Sequence, residues 1–331
     1  MIQPELPASI DAERFCASDF AGRIALANAA FGGRLWSPQL ARLWFRAIAA
    51  FRPDPGRAAC VRRLIREFIA LAPYSAAAET AYARLLESGR LPAAHPAPGA
   101  VHLIISCEKN RAKAARLQAA LSESLSPLLV VVGQSGREEA AIVGNDLIVP
   151  APDSYEGLAK KVMEAFLAVR TMFGRVPVLK VDDDARVVGA PDPARIARFL
   201  ATAEYAGTPV GAANFDRCWH VGKCEPALGV PDRTRFHAPW ASGPVYFLGR
   251  KALDCVVKEY VFYPGEIGNF GPGRFMGFED KIVGDILHRN GVALAAEDLA
   301  QIFGLRIGDH DAPRDVGIEG PPDLTVTPLP N

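Results

Sequence analysis

The sequence predicts an α/β protein preceded by a separate helical unit. Three observations predict it. From residue 100 onward short apolar runs alternate with amphipathic helical stretches. One of these runs ends abruptly in three consecutive aspartates, and residues 1–97 differ from the rest in composition and periodicity.

Bulk properties set the frame. The chain has 331 residues, enough for one large domain or two smaller ones. Its 37 basic and 37 acidic residues leave no net charge, which argues against a nucleic-acid partner held by bulk electrostatics. No apolar run is long enough to span a bilayer, and Met1-Ile2-Gln3-Pro4-Glu5 lacks a signal-peptide pattern, so the expectation is a soluble cytoplasmic protein. Cys16, Cys60, Cys107, Cys218, Cys224 and Cys255 show no metal-finger spacing. The one close pair, Cys218 and Cys224, reads as ordinary thiols in a reducing compartment.

Residues 1–97 are rich in Ala and Arg and contain no Lys. Leu40, Leu43, Trp44 and Ala47, then Val61, Leu64, Ile65, Phe68 and Ile69, recur at helical spacing. Pro53, Pro55 and Gly56 break two of these helices, and Ser75 suits the cap of a further helix reaching Leu86. Proline-dense residues 91–99 permit neither helix nor sheet, which sets a boundary between an N-terminal helical domain at 1–97 and a second domain at 98–331. Arg62, Arg63, Arg66, Trp36 and Trp44 read as solvated charge and core aromatics. The alternative is a basic aromatic face making peripheral contact with an anionic membrane.

In the second domain, residues 101–106 and 127–132 read as strands, with a helix over 111–121 between them, and residues 146–149 as a short third strand. A long helix over 155–173 carries Leu158, Val162, Phe166 and Val169 on one face. It leads into Val176-Pro177-Val178-Leu179-Lys180-Val181-Asp182-Asp183-Asp184, a buried strand whose C-terminal end delivers carboxylates to a cleft. The repeat argues for a largely parallel sheet covered on both faces. Three adjacent acids repel one another unless a cation sits among them; the plain alternative is a solvated acidic turn. Ser106-Cys107-Glu108-Lys109-Asn110 stands where a dinucleotide-binding glycine motif would follow the first strand, and no Gly-Lys-Ser or Gly-Lys-Thr phosphate loop is present.

Further on, residues 194–203 read as a helix and 209–213 as a strand, followed as far as Pro239 by a Pro-, Gly- and aromatic-rich loop that suits a binding wall. A small-residue turn at Trp240-Ala241-Ser242-Gly243 enters another strand, and a helix spans 251–260. Glu279 and Asp280 open a helix through Leu287, where carboxylates serve either as caps or in chemistry.

Four blocks in order carry a resemblance. Asp153-Ser154-Tyr155-Glu156-Gly157-Leu158-Ala159-Lys160-Lys161 is similar to an Asp-Ser-Tyr-x-Asn-Leu-x-x-Lys helix start, with Gly157 for Asn. Leu179-Lys180-Val181-Asp182-Asp183-Asp184 matches Lys-x-Asp-Asp-Asp. Pro239-Trp240-Ala241-Ser242-Gly243-Pro244-Val245-Tyr246 is similar to Pro-Tyr-x-x-Gly-x-x-Tyr, with Trp240 for the first Tyr. Glu279-Asp280-Lys281-Ile282-Val283-Gly284 is similar to Glu-Asp-Val-x-x-Gly, with Lys281 as the departure. Together these resemble the inverting β-1,3-glycosyltransferases of the galactosyltransferase, N-acetylglucosaminyltransferase and Fringe type, glycosyltransferase family 31, over roughly the last two thirds of the chain.

The resemblance implies a GT-A fold, that is, a Rossmann-like mixed sheet, carrying a nucleotide-sugar transferase, and the Ala- and Arg-rich composition suits a bacterial cytosolic enzyme. It implies a UDP-sugar donor, Mn²⁺ or Mg²⁺, and a glycan or glycolipid acceptor, with no nucleic acid. Asp184, with Asp182 and His310, would hold the metal, and Asp182 and Asp183 would meet the donor. Ser106, Asn110, Arg111, Arg116 and Lys161 would line the nucleotide side. Asp280 would be the base, while Trp240, Gly243, Tyr246 and Glu279 would face the acceptor. His310, between Asp309 and Asp311, reads equally as a surface residue. Two other readings stay open: a metal-dependent nucleotidyl or phosphoryl transferase, and a sugar-binding module without turnover.

Overall fold

A computed structural model describes residues 7–51, 54–71, 99–122, 125–137, 139–211, 238–262 and 278–306. The further helix expected after Ser75, the proline-dense boundary, Cys218, Cys224 and His310 lie outside the described residues.

The protein is a mixed α/β structure. Strands β1 (Val101–Ile105), β2 (Leu128–Gly133), β3 (Ala141–Val143), β4 (Asp146–Val149), β5 (Val178–Asp182), β7 (Tyr205–Val210), β8 (Trp240–Leu248) and β9 (Ala295–Ala296) form one sheet in the order β3-β4-β2-β1-β5-β8-β7-β9. The block β4-β2-β1-β5 is parallel. Beyond it β8 runs antiparallel to both β5 and β7, so the sheet is mixed. Strands β6 (Arg186–Val187) and β10 (Leu305–Arg306) make a separate antiparallel pair.

Every residue of β1 is buried, because the sheet is covered on both sides and alternate side chains enter two different cores. Val101, Leu103 and Ile105 point to one core, shared with α6 (Leu158–Met172), α8 (Arg250–Phe262) and α9 (Glu279–Arg289). Ile104, Val130, Val132, Leu179 and Val181 point to the other, closed by α5 (Arg111–Leu121), α7 (Pro193–Thr202) and the short α10 (Leu299–Ile302). Period-two alternation along each strand therefore decides which residues can reach the site.

The N-terminal residues form α1 (Ala12–Ala17), α2 (Phe20–Ala30), α3 (Ser37–Phe51) and α4 (Ala58–Leu71). Asp11 and Asp19 cap the first two. The apolar packing of α3 and α4 is continuous with the core around α6, and Arg62 pairs with Glu139 at 2.8 Å across the junction. Trp44 is fully buried and donates its indole N–H to Glu67, which also pairs with buried Arg23. Trp44, Arg62 and Arg66 therefore do not form an open basic aromatic face. Trp44 is core, and Arg62 and Arg66 face Glu139 and Glu164.

Cys16 and Cys60 form a disulfide, with Cα atoms 5.3 Å apart. Spacing alone did not mark this pair, since only the packing of α1 on α4 brings the two together. Such bridges persist in oxidising surroundings, which sits poorly with the reducing compartment expected from the cysteine pattern. Among the described residues no helix is long and apolar enough to cross a membrane.

Candidate active site

The site lies at the C-terminal edge of the parallel block. Ile105 is the register partner of Asp182, so the ends of β1 and β5 deliver Ser106 and Asp182 to Asp184 side by side. Asp183 is held from both directions: its N–H donates to the Ile105 carbonyl at 3.2 Å, and its carboxylate accepts from Ser106 Oγ at 2.6 Å. Lys113, near the start of α5, stands 4.0 Å from the other oxygen of Asp183.

Lys180 organises the opposite side. It alternates with Leu179 and Val181, so it points away from their core toward α9, and it is 1% exposed. Its ammonium donates to Asp182 at 2.6 Å, to Glu279 at 3.0 Å and to the carbonyl of Gly243. That carbonyl is within reach because the β7–β8 ladder is interrupted. Ser242 to Val245 on β8 oppose the single Thr208 on β7, a bulge that lifts the strand over the end of β5. A Cβ on Gly243 would lie 3.2 Å from Asp280 Oδ2 and 3.6 Å from Glu279 Oε1, so the missing side chain lets both acids approach the strand.

Glu279 and Asp280 occupy the first turn of α9, where free backbone N–H groups favour anions. Asp280 accepts from the Lys281 N–H at 2.8 Å, and its other oxygen faces Gly243. Asp182 and Glu279 thus meet at one buried ammonium, with Asp280 next to Glu279 and the Asp184 charge felt at Asp182.

Titration follows from that imbalance. Burial raises Asp182, and Glu279 and Asp184 add to the rise; Lys180 opposes it, and the outcome is about 7. Burial also holds Glu279 and Asp280 above the ordinary carboxylate range. Burial alone would lower Lys180, but Asp182 and Glu279 outweigh it and hold the ammonium charged. One cation shared among several acids is itself well compensated and leaves the acids short of positive charge.

Asp184 Oδ1 is buried and has no hydrogen-bond partner among the described residues. It is the kind of hard anionic oxygen a divalent cation takes as a ligand. No three His, Cys, Asp or Glu side chains gather in a metal-holding arrangement among the described residues, so a cation there would need ligands from a bound diphosphate, water or residues beyond them.

Other expected site residues fall elsewhere. Lys161 is 2% exposed and its ammonium is used internally, on the Ser106 carbonyl at 2.7 Å and Asp153 at 2.8 Å. Arg111 is spent on Glu108 and Asp146, while Arg116 is exposed on the outer side of α5. Asn110 precedes α5 without capping it through its side chain. Trp240 is corrected: at 2% exposure, with the Lys281 ammonium 4.9 Å from its ring centre, it offers no face to a sugar. Tyr246 is corrected likewise, being 1% exposed and wedged between Phe166 and Lys180. Gly157 leaves no room for a side chain, since a Cβ there would lie 2.4 Å from the Pro152 carbonyl oxygen.

Sequence reasoning assigned no role to Lys180 or Lys113. The signal for Lys180 was present, a lysine inside an apolar strand two residues before an acid; for Lys113 there was none.

The fold and site together define an α/β protein with a carboxylate-rich edge at the ends of its parallel strands. The chain matches no family profile and no characterised protein sequence. Among solved structures it is similar to the galactosyltransferase LgtC in complex with donor and acceptor sugar analogues, at 13% identity and a TM-score of 0.34, over 59% of this chain and 73% of that one. A likeness this distant bears on neither activity nor substrate.

Proposed function

We propose that the protein is a cation-assisted inverting glycosyltransferase that moves a sugar from a nucleotide-diphosphate donor, UDP-linked, to a hydroxyl of a glycan or glycolipid, forming a β-1,3 linkage. The observation that carries this reading is the meeting at Lys180 of acids from distant parts of the chain: Asp182 at the end of β5, followed in the chain by Asp183 and Asp184, and Glu279 with Asp280 at the start of α9.

Asp184, through its unpartnered oxygen, would hold Mn²⁺ or Mg²⁺. The cation would supply positive charge beside the departing diphosphate. His310, the further ligand expected from the sequence, lies outside the described residues. Asp183, oriented by Ser106 and with Lys113 nearby, would meet donor hydroxyls or bridge to the donor through water or the cation. Asp280 would take the proton of the attacking acceptor hydroxyl, its raised affinity for protons suiting a base near neutral pH. Glu279, anchored on Lys180, would fix the first turn of α9 so that Asp280 stays aimed past Gly243.

Incubation with Mn²⁺ and a panel of nucleotide sugars and glycan acceptors tests the reading. The expected result is release of a nucleoside diphosphate and, by NMR, a product of inverted anomeric configuration. Pyrophosphate release from a nucleoside triphosphate, or donor binding with no turnover on any acceptor, would favour the two other classes.

A further inference from the structure

Apart from the carboxylate-rich edge, the most unusual surface lies at the turn between two of the N-terminal helices. The turn joining α2 to α3 exposes Phe31 and Trp36, at 51% and 78%, with Arg34 between them. The adjoining outer face of α3 carries Arg42, Phe45 and Arg46, all exposed, at helical spacing. No carboxylate occurs in the chain between Asp19 and Asp54. Arg34, Arg42 and Arg46 have no acidic partner among the described residues, unlike Arg23, Arg57 and Arg62, each of which is paired. Phe45 also packs against Phe68, but Phe31 and Trp36 protrude beside unpaired arginines, an arrangement that costs solubility.

We propose that this tip and the outer face of α3 dock on an anionic phospholipid surface. The chemistry matches on both counts. Phe31 and Trp36 are suited to the boundary between headgroups and acyl chains, and arginines can lay their stems along apolar surface while the guanidinium reaches lipid phosphate. A second copy of this chain fits worse, because a symmetric contact would bring together two sets of three arginines with no acid to offset them. Nucleic acid fits worse as well, because three cations on a neutral chain supply little counterion release. The inference is independent of the activity proposed above.

Co-sedimentation of the full chain with phosphatidylcholine vesicles, with and without phosphatidylglycerol, tests it. The wild type is expected to bind the anionic vesicles, with binding weakened by salt, and to leave the neutral ones. The combined variant Arg34→Gln, Arg42→Gln, Arg46→Gln should bind about a hundredfold more weakly. Trp36→Ser should bind roughly tenfold more weakly. Both variants replace exposed side chains, so their melting temperatures should match wild type. The proposal is overturned by wild type that ignores anionic vesicles, by variants that bind them as wild type does, or by a tip that instead drives concentration-dependent dimerisation or binding of single-stranded RNA.

Discussion

Two buried lysines hold the same edge of the sheet, and they are used in opposite ways. Lys161 faces one carboxylate, Asp153, which also accepts the backbone N–H groups of Glu108 and Gly133. Burial would raise Asp153, but these donors outweigh it and its carboxyl is held below the ordinary range. Lys180 faces Asp182 and Glu279 directly, with Asp280 close by, and these three carboxyls are held above the ordinary range. A matched pair that lowers its acid fastens β1, β2 and the start of α6 together. A mismatched group that raises its acids is costly for folding, and its imbalance is the kind that a bound cation or a transferred proton relieves.

The largest expected effect breaks the mismatched side. Asp280→Asn should reduce transfer by about 10²–10⁴-fold, the range associated with a lost general base. Its stability at about pH 8 should equal or exceed that of wild type, because the folded environment disfavours the charge that is removed. Chemical denaturation and a transfer assay on the same preparation read both. A loss of stability without loss of transfer would make Asp280 a helix cap only.

Removing either cation should cost folding on both sides. Lys180→Met leaves the buried Glu279 carboxylate, the partly exposed Asp182 carboxylate and the Gly243 carbonyl without their donor and should cost about 3 kcal/mol. Lys161→Met should cost a similar amount or somewhat less, since Asp153 keeps two backbone donors. Denaturant midpoints measure this. A Lys180→Met protein as stable as wild type would mean that the acids are neutral and the lysine idle.

A third contrast is in sign. Asp153, with a lowered pKa, contributes stability that is present above its unfolded value and lost as pH falls through its folded one. Asp182 does the reverse. From 3.8 to about 7 the folded protein keeps a proton that the unfolded chain has released, so its contribution declines as pH rises through that window. Asp182→Asn should flatten the decline, whereas Asp153→Asn should lose stability most at neutral pH. Thermal melts from acid to neutral pH separate the two.

The smallest expected effect concerns Lys113. Standing 4.0 Å from Asp183 and 35% exposed, it is partly screened. Lys113→Ala should raise the KM for donor several-fold with kcat little changed, which initial-rate kinetics would show.

Much of this was legible in the chain. Helix α5 falls on the residues where periodicity put it, β4 matches its four residues, and β1 and β5 differ from expectation only at their ends. These elements carry their signal locally, in apolar runs and in apolar residues at helical spacing. The expected strand over 209–213 is instead β7 at Tyr205–Val210, because pairing with β8 and β9 selects the earlier residues. The antiparallel direction of β8, its bulge at Ser242 to Val245, the β6–β10 pair and the Cys16–Cys60 bridge depend on partners far away in sequence, and no local pattern announces them. The same holds at the site. The acids could be named from sequence, whereas the burial of Trp240 and Tyr246 and the internal use of Lys161 are consequences of packing.

The most direct test of the mismatched cluster as a cation-assisted donor site is calorimetric titration of UDP into wild type, Asp184→Asn and Asp280→Asn, each with and without Mn²⁺. Wild type and Asp280→Asn should bind UDP only when Mn²⁺ is present, and Asp184→Asn should fail to bind in either case. UDP binding that is indifferent to Mn²⁺, or that survives unchanged in Asp184→Asn, would contradict the account.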